Sequence, residues 1–110
     1  MKEIKQFEQY FSAVRGRRPR TCKEYGKILE EFFRWKGDEN IADVTKVVVM
    51  DYITHCDEKG NSASTRAAKV SVLKSFYNWA YDTDKCPANP LAGLNRPKFI
   101  HNRSKLNDYL

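Results

Sequence analysis

Long apolar runs are missing from these 110 residues. No stretch approaches the roughly 18 residues that a membrane-spanning helix needs. The first residues do not read as a secretion signal, because residues 2–11 are amphipathic and charged. Cysteine is scarce: Cys22, Cys56 and Cys86 are odd in number and far apart, with no CxxC pair. That spacing argues against a disulfide framework or a zinc site. It predicts small, partly buried thiols in a reducing compartment. His55 stands beside Cys56, which is not a chelating spacing on a helix. No P-loop, GxGxxG or GxSxG occurs. Neither histidine has an obvious nucleophile partner. The acidic group Asp38, Glu39 and Asp43 fits no dedicated ion loop and reads as a solvated connector. The chain therefore predicts no catalytic site, no metal and no cofactor. It reads as a soluble, cytoplasmic binding domain.

What is present is basic charge, and it is segregated. Residues 1–36 hold ten Lys/Arg against five Asp/Glu, residues 37–61 two against six, and residues 62–110 eight against three. The net charge is +6. Solubility alone does not require such sorting. Two basic segments around an acidic middle suggest a polyanion, nucleic acid first, with an anionic membrane or a merely solvated surface as alternatives.

At 41% hydrophobic content the chain can build one compact core. Helical spacing predicts four helices. The first runs from about Glu3 to Val14, with Ile4, Phe7, Phe11 and Val14 in a stripe and Gly16 ending it. Pro19 marks a turn, and Thr21-x-x-Glu24 reads as a capping box opening the second helix. Tyr25, Ile28, Leu29, Phe32 and Phe33 share one side of that helix, and Gly37 stops it. Ile41 and Val44 of the acidic connector should tuck against the core. Thr45 caps a third helix, about 46–59, with Val49, Tyr52, Ile53 and Cys56 inward. Ser62 or Ser64 caps a fourth helix that reaches Asp82–Lys85. Its apolar arc, Val70, Val72, Leu73, Phe76, Tyr77, Trp79 and Ala80, is wide enough to touch more than one neighbour. Pro87 and Pro90 prevent its continuation. No internal repeat or hairpin signal appears. The reading is an all-α four-helix domain over residues 1–88 and a basic linker over 89–110.

Three clusters could meet phosphates. The first is Arg15, Arg17, Arg18 and Arg20 at the start of the second helix, with Thr21 and Lys23 in its opening turns. The second is Thr65, Arg66 and Lys69 at the start of the fourth. The third is the tail, with Arg96, Lys98, His101, Arg103 and Lys105. Each has a plain alternative: a solvated turn, aliphatic stems laid over the core edge with their charges in water, and a tail basic by chance. Arg66 and Lys69 raise a particular question, because they lie on the stripe that Val70 and Leu73 continue. Their position predicts that the fourth helix has run past the edge of the core there.

The ordered motifs resemble a known family. "TCKEYGKILEEFFRW" is similar to the T-x-x-x-Y-x-x-x-L-x-x-F helix of the core-binding domain of tyrosine recombinases, the phage integrases and their Xer-type relatives. "IADVTKVVVMDYI" resembles the connector and helix that follow. "GNSASTRAAKVSVLKSFYNWAYDTDKCPANPLAGLNRPK" is similar to the run that closes the domain, through Asn89-Pro90 and Pro97-Lys98. The resemblance covers about residues 1–100. It implies a SAM-like orthogonal bundle on one side of double-stranded DNA, clamped from the other side by a catalytic domain. It also admits a homo-oligomer on DNA. Carried onto matching positions, the helix starts that meet DNA are Arg20, Thr21 and Glu24, and Thr65, Arg66 and Lys69. Glu24 departs from a phosphate-binding pattern; it could accept from a cytosine amino group or serve only the capping box. The recombinase active site is absent. Neither His55 nor His101 is followed by arginine three residues on, and Tyr109, though late, has no arginine set before it. "SKLNDYL" resembles the first residues of the catalytic domain, so the expectation is a fragment of a larger enzyme. A protein-interaction module for an acidic partner and a helix-turn-helix regulator remain the alternatives.

Overall fold

The computed structural model describes residues 1–92. Among them the chain forms α1 (Lys2–Ala13), α2 (Pro19–Lys36), α3 (Lys46–Glu58) and α4 (Ala63–Asp82), with a 3₁₀ turn at Ile41–Asp43. No strand occurs among the described residues. The architecture is the all-α, four-helix arrangement read from the periodicity. The tail residues Arg96, Lys98, His101, Arg103, Lys105 and Tyr109 lie outside the described residues.

Local chemistry explains the boundaries. Thr45 accepts from the Val48 N–H at the start of α3, and Ser62 accepts from the Thr65 N–H at the start of α4. Each side chain satisfies a donor that has no partner within its helix. Gly37 closes α2 with φ 100°, a left-handed conformation that a side chain would oppose. The start of α2 differs from the expected capping box. Pro19 occupies the first helical position, and Arg18 before it is extended (φ −66°, ψ 147°), as a residue preceding proline prefers. Thr21 therefore sits inside the first turn. Among the described residues no side chain caps this helix, and Glu24 instead lies 3.8 Å from Arg20 as an exposed ion pair. Val14 also departs from its expected place. It lies one residue past α1 and is 70% exposed.

The core is aromatic and shared by all four helices. Phe7 of α1 meets Phe76 of α4 edge-on at 5.6 Å, and Phe33 of α2 meets the same ring at 6.1 Å. Phe32 of α2 meets Tyr52 of α3 edge-on at 5.0 Å. Edge-to-face pairs of this kind add to the burial of large apolar area. Every residue of the predicted α4 arc is buried. Gly26 lies where α1 presses on α2, and a Cβ there would collide with the Glu8 carboxylate. The acidic connector is drawn onto the core, with Ile41 and Val44 buried. The buried Tyr77 hydroxyl donates to the Ile41 carbonyl at 2.9 Å, and burial pushes its phenol above the ordinary range. Lys36 clamps the outer side, donating to Asp38 at 2.5 Å and Asp43 at 2.6 Å. The core also takes in Cys86 and Leu91, so packing continues past residue 88. All three cysteines are buried and unbridged.

Candidate nucleic-acid interface

The start of α2 gathers the exposed cations. Arg17, Arg18, Arg20 and Lys23 are all exposed, and Arg20 keeps 90% of its side chain in solvent despite Glu24. Arg17 lays its guanidinium over the Phe11 ring at 5.5 Å, which anchors it to α1 without using its charge. Thr21 is half-buried. The first intrahelical bond runs from the Cys22 N–H to the Arg18 carbonyl. The backbone N–H groups of Arg20 and Thr21 therefore stand at the positive end of the helix dipole, with no capping side chain among the described residues. Uncapped donors beside four exposed cations suit an oxyanion. The basic character continues along α2. Arg20, Lys27 and Arg34 recur every seven residues, two turns apart, and all three are exposed. They form a row about 21 Å long. Lys27 and Arg34 were not among the contacts expected from the sequence, although their spacing was the available signal.

The start of α4 is arranged differently. Ser62 caps it and also donates to the Thr65 hydroxyl at 3.1 Å. Arg66 turns back to the α3–α4 corner, donating to Asp57 Oδ1 at 2.8 Å and to the Asn61 carbonyl at 2.6 Å. Lys69 is buried. Its ammonium donates to Glu31 Oε1 of α2 at 2.8 Å and to Asn61 Oδ1 at 2.9 Å. It also lies 3.7 Å from Cys56 Sγ and 5.7 Å from the centre of the Tyr52 ring. The expectation that this stripe runs past the edge of the core is therefore corrected. The core continues there in polar form, as one carboxylate with donors from two helices. Glu31 accepts from Lys69 and, at 2.7 Å, from the Tyr52 hydroxyl. Those two bonds, Lys69 first, hold the Glu31 carboxyl below its ordinary range. Burial, then the bond to Glu31, pushes the Tyr52 phenol well above its own, so it remains a donor. Glu31 and Asn61 went unnoticed in the sequence, and Tyr52 was read only as part of the apolar stripe of the third helix. The only signal was a cation on an otherwise apolar stripe.

The two helix starts thus have distinct electrostatics. At α2 the cations face solvent; at α4 Arg66 and Lys69 are engaged by Asp57, Asn61 and Glu31. Arg20 and Glu31 lie on the same side of α2, about 16 Å apart along its axis. Among the described residues no group of three or more His, Cys, Asp or Glu could hold a metal ion. Among the same residues no helix is long and apolar enough to cross a membrane.

The family model described as "Phage integrase, N-terminal SAM-like domain" matches residues 4–84. The chain is similar to tyrosine recombinase XerC of Escherichia coli O139:H28 (strain E24377A / ETEC), 28% identical over 101 residues. It is also similar to the XerC of Escherichia coli strain K12 / DH10B, 27% identical over 101 residues, and of O157:H7 strain EC4115 / EHEC, 26% identical over 99 residues. Each alignment covers 87% of this chain and 33% of the relative, so the chain spans about a third of the length of these proteins. No solved structure matches it significantly. With four helices in the expected order and most of its length matched by the family model, this chain belongs to the phage integrase N-terminal SAM-like domain family.

Proposed function

We propose that this domain binds duplex DNA for a tyrosine recombinase, through phosphates at the start of α2, and positions the recombination site for a catalytic domain outside these 110 residues. The observation that carries this reading is the uncapped start of α2 with Arg17, Arg18, Arg20 and Lys23 exposed around it. Family membership and the name of the XerC relatives support the recombinase context. The reading gives direct base contacts a small part, so the parent protein would draw its site preference from other elements as well. Arg66 and Lys69 take a supporting role, holding the α3–α4 corner against α2. Residues 89–110, with Arg96 and Lys98, serve as the basic connection to the catalytic domain, and further copies assemble on the same DNA.

The reading is tested by titrating duplex DNA with the 110-residue chain between 50 and 200 mM salt. If three or four phosphates are neutralised, log K should fall against log salt with a slope of about −3 to −4. Absence of duplex binding at the lowest salt would overturn the reading and favour a module that docks an acidic protein.

A further inference from the structure

Beside the start of α4, a cleft of about 250 Å³ opens between α2 and α3. One wall is aromatic. Trp35 of α2 stacks on His55 of α3 at 5.9 Å with 30° between the planes, and Tyr52 lies 5.3 Å from Trp35. Trp35 and His55 are only half-buried. The floor is the Glu31–Lys69 pair, already neutral as a unit. The rim is Arg34 and Lys59, both exposed. Neither makes an ion pair among the described residues.

Two features select the occupant. The cleft carries excess positive charge at its rim, so it favours an anion. Its wall is a stack of planar rings, so it favours a planar group beside that anion. A nucleotide unit supplies both, with its base for the aromatic wall and its phosphate for the rim. The volume lies below the range for drug-sized ligands, which suits one base and no longer segment. Arg34 also ends the exposed row Arg20–Lys27–Arg34, so a line of cations leads from the proposed DNA-binding start of α2 to this cleft. Resting on the DNA-binding reading above, we propose that the cleft is a subsite for a single unstacked nucleotide. Its base lies against Trp35 and His55, and its phosphate lies between Arg34 and Lys59.

The test compares two probes, a single-stranded hexathymidylate and a 12-base-pair duplex, on the 110-residue chain and on Lys59→Ala and Trp35→Leu. Lys59 is exposed, so Lys59→Ala leaves the fold intact should Trp35→Leu disturb it. Each change is expected to weaken hexathymidylate about five-fold or more and to alter duplex affinity less than two-fold. Amide and indole resonances of Trp35, His55 and Lys59 should shift on adding the single strand. Three results would overturn the subsite: no effect of either change on hexathymidylate, equal losses on both probes, or tighter competition by a polyglutamate peptide. Duplex binding without any hexathymidylate binding would sink the subsite alone. Loss of both would sink the DNA reading with it.

Discussion

Replacing Lys69 with methionine isolates the polar knot between α2, α3 and α4. Methionine keeps most of the buried stem and removes the ammonium. Glu31 then loses the 2.8 Å bond from Lys69 and keeps only the Tyr52 hydroxyl, while Asn61 Oδ1 loses a donor at 2.9 Å. Hydrogen bonds to charged groups contribute about 1.5–3 kcal/mol each. Removing one partner of a fully buried pair costs about 3–5 kcal/mol. This pair is not fully buried, because the Glu31 side chain is 43% exposed against 11% for Lys69. Water can therefore reclaim the carboxylate, and relief of the lysine's own desolvation offsets part of the loss. The expected cost is about 1–2 kcal/mol, or about 5–10 °C in Tm for a domain of this size. A double-mutant cycle with Glu31→Gln should return a coupling of about 1 kcal/mol. The pH dependence follows from the lowered Glu31 carboxyl. Its stabilisation is complete above its unfolded value of 4.5 and is lost as pH falls through the lower folded value. The gap between wild type and Lys69→Met should therefore be widest near neutrality and narrow below pH 4.5. Denaturant unfolding at pH 7 and pH 3.5 measures both. A methionine variant as stable as wild type, with no coupling to Glu31, would refute the structural role given to this lysine.

Two further substitutions test the local backbone. Gly37→Ala forces a side chain into φ 100° at the C-terminus of α2, and should cost about 1 kcal/mol by thermal unfolding; an unchanged Tm would contradict that cap. Gly26→Ala should be close to neutral alone, since it gains helix propensity but displaces the Glu8 carboxylate. In a Glu8→Ala background the same change should stabilise by about 0.5–1 kcal/mol. Equal effects in the two backgrounds would show that Glu8 is not what Gly26 accommodates.

The helices were legible because their punctuation is local. Thr45, Ser62 and Gly37 act on backbone groups within a few residues, so letters near a boundary suffice to place it. The α4 arc was equally legible, since a wide apolar stripe must be covered by something. The capping box at Thr21 and Glu24 shows where local reading fails. Its spacing was correct, but Pro19 fits the first helical position and fixes Arg18 in an extended conformation, which started the helix earlier. Lys69 shows a different failure. Its partner Glu31 is 38 residues away, and no local pattern reports a pairing across three elements. The sequence did show a cation where an apolar residue was expected, and the structure supplies the carboxylate that explains it. At the candidate interface the arginine cluster was visible from composition. Which cations face solvent and which are engaged internally was not, because that depends on how α3 and α4 turn back onto α2.

Neutralising the start of α2 tests the central claim most directly. Arg18, Arg20 and Lys23 are exposed and contribute nothing to the core, so Arg18→Ala, Arg20→Ala and Lys23→Ala together should leave Tm within about 3 °C of wild type. If these residues meet phosphates, the triple variant should bind duplex DNA at least ten-fold more weakly at 100 mM salt. Its salt slope should be shallower by about 2–3. A folded triple variant with unchanged affinity and slope would contradict the claim that the start of α2 is the DNA-binding face.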